Sequence, residues 1–194
     1  MKRHIDPTDI VSNGEYATIR AAKRRELSEV KKHRRVDVGP FAMVAFESWD
    51  TMWFQIQEMF YIEKGGPEQV PDELDAYNPL IPQGRELVAT VMFQIDNEIA
   101  RKAALARLGG VEETAFMDIG GVRIKGVPET DVDRTSAEGK ASSVQFVHFP
   151  FTQAQIATFR TPGTPVTVGF SHPNYGHMAV MPEPVRAALA EDFE

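Results

Sequence analysis

Two carboxylates, Glu47 and Glu58, stand eleven positions apart in VAFESWDTMWFQIQEMFYIEK, residues 44–64, a stretch whose other side chains are largely apolar. Asp50, Thr51, Gln55 and Gln57 are interspersed with them. Burying a carboxylate or amide without a hydrogen bond costs a few kcal/mol, so these groups must be paired in the fold, face a cavity or bind something. In a helix opening near residue 49, Thr51, Gln55, Glu58 and Ile62 fall on one face, spaced four, three and four apart. Glu47, just before that helix, then gives a second carboxylate that could converge with Glu58, as a general acid and base or as oxygen ligands to a metal ion. The alternative is a wetted helix face, or a carboxylate paired with an arginine from another helix.

Histidine supplies the other metal chemistry. His148 lies in an apolar strand pattern, and His172 and His177 bracket a turn in FSHPNYGH. Three histidines near a carboxylate would suit zinc or iron if the fold brought them together. A third constellation is cationic: Arg20, Lys23, Arg24, Arg25, Lys31, Lys32, Arg34 and Arg35 against Glu26 and Glu29 give +6, in a chain of net charge −7, leaving −13 for the rest. At 100° per residue Arg20, Arg24, Lys31 and Arg35 share one narrow sector, a face suited to an anionic ligand or an acidic partner, or to pairing with the chain's own acids. A Glu-x-x-His pair, a Gly-x-Ser-x-Gly elbow, a P-loop, a Gly-x-Gly-x-x-Gly turn and a His-Glu-x-x-His motif are all missing. Nucleotide-dependent and serine-hydrolase chemistry are thereby disfavoured.

The elements that must position these groups can be read from periodicity. Ser12 and Glu15 form a capping-box pattern ahead of Tyr16, Ile19, Leu27 and Val30, predicting a long N-terminal helix over about 14–34. Residues 36–47 alternate in period two on either side of Gly39-Pro40, a strand broken by a bulge or turn, and Ser48 or Asp50 caps the following helix. A Pro-rich wrap with one short helix near 72–77 follows. Strands are expected at 86–95, 143–149, 166–170 and 177–180, with a two-stranded unit at 114–125 turning at Gly120-Gly121. Helices are expected at 97–108, 152–159 and 182–193, and 127–141 is polar and expected to be mobile. This order favours one α+β domain over 1–194, with a mixed or mainly antiparallel sheet flanked by four or five helices.

With 194 residues, 42% of them hydrophobic, the chain can bury a sizeable core. Having no cysteine, it offers no disulfide, thiolate nucleophile or iron–sulfur ligand. An acidic chain is a poor coat for nucleic acid, its N-terminus lacks the apolar core of a signal peptide, and no apolar run is long enough to span a membrane. A cytoplasmic protein is the expectation.

The runs Arg34-Arg35-Val36, Gly39-Pro40, Phe46-Glu47, Asp50-Thr51, Gln55-Ile56-Gln57-Glu58-Met59, Tyr77-Asn78-Pro79-Leu80-Ile81-Pro82 and His172-Pro173-x-Tyr175 together resemble a bacterial domain-of-unknown-function family, the one numbered 3501, over nearly the whole chain. The resemblance names no activity. It implies an association with rubrerythrin-like and iron–sulfur proteins, and hence with iron or peroxide handling. The chain differs from the family pattern at Tyr61, where an Arg is expected, and at Ser171, where an Asp is expected.

The reading that follows is a non-enzymatic binding or accessory protein, a homodimer, with a polar pocket or partner surface around helix 49–64 (Glu47, Asp50, Thr51, Gln55, Gln57, Glu58) and an anion-binding or partner face at Arg20, Arg24, Lys31 and Arg35. The alternative is a metal-dependent enzyme or iron-handling protein with His148, His172 or His177 and a Glu as ligands.

Overall fold

The pattern of period-two apolar runs broken by Gly, Pro and capping residues resolves into six α-helices and nine strands in a computed structural model, which describes residues 2–64, 66–130 and 133–194. Their order is α1 (Asn13–Lys32), β1 (Arg35–Val38), β2 (Ala42–Phe46), α2 (Trp49–Ile62), α3 (Val70–Tyr77), β3 (Glu86–Phe93), α4 (Glu98–Leu105), β4 (Ala115–Ile119), β5 (Val122–Lys125), β6 (Val127–Pro128), β7 (Val144–Pro150), α5 (Gln153–Arg160), β8 (Val166–His172), β9 (Tyr175–Val180) and α6 (Glu183–Ala190). All strand pairings are antiparallel, in two sheets ordered β1-β2-β3-β7-β6 and β5-β4-β8-β9. The α+β class holds, with six helices, each at a span the periodicity marked, and with the strands divided between two antiparallel sheets.

The strand period explains the layering. Val36, Val44, Val91, Val147 and Phe149 point from the first sheet onto Met117, Ile119, Val168 and Phe170 of the second, forming one continuous apolar core. The register places Val88, Thr90, Phe146 and His148 on the opposite face, under α1, α2 and α3. β3 is buried on both faces, which is why it reads as an almost unbroken apolar run. Ser48 caps α2 through the Thr51 amide, and Ser12 caps α1 through Glu15.

Two details differ from the sequence reading. The break at Gly39-Pro40 is a full hairpin between β1 and β2, made possible by Gly39 at φ +67; a Cβ there would stand 2.6 Å from His177 Cγ. Within the polar span 127–141 the described residues add β6 to the edge of the first sheet and a bridge from Thr135 to Ala141, while 131–132 lie outside the described residues. Among the described residues no helix is long and apolar enough to cross a membrane.

Candidate functional site

Glu58 lies on the side of α2 that meets α1, and there Arg20 grips its carboxylate with two parallel hydrogen bonds, Nε to Oε1 at 2.7 Å and Nη2 to Oε2 at 2.8 Å. The Tyr16 hydroxyl donates to Oε1 at 2.7 Å, and the Arg20 guanidinium lies 4.8 Å from the Tyr61 ring centroid. The bond from Arg20 holds the Glu58 carboxyl below its ordinary 4.5, while burial, reinforced by Glu58, pushes the Tyr16 phenol up. Glu58 is thus an ionised, paired carboxylate joining two helices. Tyr61, where the family pattern expects an Arg, supplies the face on which Arg20 rests.

Glu47 has a different partner. Its side chain is buried and Oε1 accepts a 2.6 Å bond from the Thr90 hydroxyl on β3. Among the described residues the two carboxylates share no bonded partner. Thr51 closes the helix cap, its hydroxyl accepting from Ser48 N at 2.8 Å and donating to Ser48 O at 3.0 Å. Tyr77, beside Gln55, has its phenol pushed up mainly by burial.

Gln57, fully buried, grips the backbone of the N-terminal segment, accepting from Val11 N at 2.8 Å and donating to Val11 O at 3.3 Å. Asn78 does the same to Ile5, at 2.8 Å and 3.0 Å. The indole N–H of Trp49 donates to His4 O and that of Trp53 to Asp9 O, both at 2.8 Å. Residues 2–12 therefore form a strap whose backbone polar groups are met by side chains of α2 and of the turn after α3. The QIQEM and NPLIP runs of the family resemblance hold this strap.

The strap helps to enclose a cleft of about 230 Å³ between α1 and the start of α2. Trp49, Trp53 and Phe54 line it from α2, Leu27 and Val30 from α1. Asp9, Lys23, Glu26 and Asp50 complete the lining. Trp49 and Trp53 stack at 6.2 Å with their planes 14° apart. Both indole N–H groups are already bonded, so what the two rings bring to the cleft is aromatic carbon surface. Of the candidate site residues only Asp50 lines this cleft, joined by Lys23 and Glu26 of the α1 charge run and by Leu27 and Val30 of its apolar stripe. The missed signal was the pair of tryptophans four apart in α2, opposite Leu27 and Val30 in a helix otherwise covered in charge.

The three histidines separate. His172 Nε2 lies 3.1 Å from Gly109 O while its Nδ1 accepts from Asn174 N, and His177 packs edge-on against Tyr175. His148 sits between two carboxylates, Nδ1 2.9 Å from Glu86 and Nε2 2.6 Å from Glu129. A neutral ring has one N–H, so both bonds together require one further proton on this trio. Burial alone lowers the His148 pKa, but Glu86 and Glu129 outweigh it and raise it above 6.5. Among the described residues no group of three or more His, Cys, Asp or Glu side chains is placed to hold a metal ion, which corrects the expected set of His148, His172 and His177. Of the cationic row, Arg20 is taken up by Glu58, while Arg24, Lys31 and Arg35 are exposed.

The chain belongs to the family described as "Protein of unknown function (DUF3501)", whose model matches residues 4–193. It is also similar to the crystal structure of a novel protein of unknown function from Burkholderia pseudomallei, with 33% identity and a TM-score of 0.90 over 98% of this chain and 99% of that one. No curated protein matches it.

Proposed function

We propose that this member of the DUF3501 family is a non-enzymatic binding or accessory protein whose recognition element is the cleft between α1 and α2. One observation carries this reading: Trp49, Trp53 and Phe54 line a cleft open to solvent, with both indole N–H groups engaged by the strap. Aromatic faces in a concavity are what bury a ligand's apolar surface. At about 230 Å³ the cleft is smaller than the roughly 300–1,000 Å³ of sites for drug-sized ligands, so it suits a small molecule or one side chain of a partner. The separate pairing of Glu58, Glu47 and His148 gives a catalytic or metal-dependent reading no comparable support.

The chain's two tryptophans both line the cleft, so tryptophan emission reports on it. Titration with hexan-1-ol should shift tryptophan emission saturably, and Val30→Phe, which fills the cleft from the exposed side of α1, should abolish the shift while far-ultraviolet circular dichroism is retained. Absence of a saturable response in the parent protein, or an equal response in Val30→Phe, would discard the proposal.

A further inference from the structure

The cleft's charges indicate what kind of apolar ligand it takes, an inference that rests on the cleft reading above. We infer that the ligand carries an organic cation, a primary or quaternary ammonium on a short apolar body. The protein already holds such a group there. Lys2 Nζ lies 5.1 Å from the Trp49 ring centroid and 2.6 Å from Asp9 Oδ1, an ammonium between an aromatic face and a carboxylate, both of which line the cleft. Its side chain is 63% exposed, so a ligand ammonium can displace it at little cost in buried contact.

Charge counting points the same way. Lys2 pairs with Asp9 and Lys23 with Glu26 at 2.9 Å. Asp50 has no cation within ion-pair distance among the described residues, and its full charge outweighs the roughly half positive charge of the α2 N-terminus beside it. An anionic ligand would meet three carboxylates, and the one cationic side chain in the lining, Lys23, already bonds Glu26. An ammonium meets unpaired Asp50 and the indoles of Trp49 and Trp53.

Three probes of equal chain length separate charge from apolar contact: hexylammonium, hexan-1-ol and hexanoate, each titrated by tryptophan emission into the full chain at low salt. Hexylammonium should bind at least tenfold more tightly than hexan-1-ol, and hexanoate more weakly than either. Asp50→Asn should reduce the hexylammonium affinity several-fold and the hexan-1-ol affinity by much less, so that the ratio between the two falls. Lys2→Ala, which vacates the corner between Trp49 and Asp9, should raise the hexylammonium affinity. Equal affinity for the ammonium and the alcohol, a preference for hexanoate, or an ammonium preference untouched by Asp50→Asn would overturn the inference while leaving the cleft reading intact. Failure of all three probes to bind would remove the cleft reading itself.

Discussion

The two faces of the first sheet solve different problems. The inner face meets the second sheet through apolar side chains such as Val44, Val91, Val147 and Phe149, each nearly inaccessible to water. The helix-side face is covered by α1 to α3 through a mixture of apolar contacts and polar grips: Thr90 on Glu47, Arg20 and Tyr16 on Glu58, Gln57 and Asn78 on the strap. A sandwich interior gains from filling space and leaves none for a ligand. A helical layer held by directional bonds can leave a gap where α1 and α2 diverge, and the aromatic cleft occupies that gap. α1 buries only Tyr16 and Leu27 among its 20 residues, so the helix with the most exposed surface also forms one wall of the cleft.

The largest loss is expected where the interior holds a buried ion pair, Arg34 with Asp192. Arg34 donates to Phe46 O at 3.0 Å, to Glu47 O at 2.8 Å and to fully buried Asp192, whose carboxyl is raised by burial despite that partner. Arg34→Met should cost about 3–5 kcal/mol in urea unfolding, because it strands a buried carboxylate; a loss under about 1 kcal/mol would mean that Asp192 is neutral or hydrated. A smaller effect tests the strap. Gln57→Ala leaves Val11 N and O without their side-chain partner and should cost about 1–3 kcal/mol, while moving tryptophan emission toward that of solvated indole as the strap loosens. Unchanged emission would detach the strap from the cleft.

Next comes the helix pair. Arg20 and Glu58 are partly exposed, 31% and 16% at their side chains, so Glu58→Gln should cost only about 1 kcal/mol. Its pH dependence has a fixed sign. The folded carboxyl is lowered, so the stabilisation is present above the ordinary 4.5 and disappears as pH falls through the lower folded value. Parent and Glu58→Gln melting temperatures should converge on acidification. The smallest effect belongs to His148. Its folded pKa is raised above 6.5, so its contribution is complete below that value and is lost as pH rises through the folded one. His148→Gln should therefore flatten the decline in melting temperature on the alkaline side of 6.5, and an unaltered slope would refute the shared-proton reading of Glu86, His148 and Glu129.

Much of the fold was legible because its signals are local. Ser12, Ser48, Asn97 and Thr152 each cap the helix they precede, and Gly120-Gly121 turns β4 into β5. Such signals act within about four residues and survive in any tertiary context. The alternation in β1, β2 and β7 likewise assigned each strand a buried face. What sequence left open was the meaning of each polar residue, because that depends on a partner far along the chain. Glu58 is settled by Arg20, 38 positions away, Gln57 by Val11, 46 away, and His148 by Glu86, 62 away. Residue type determined that these groups needed partners; only the packing of α1 and the strap against α2 decided which. The cleft arises in the same way, since Trp49 and Trp53 line a concavity only because α1 and residues 2–12 pack around them.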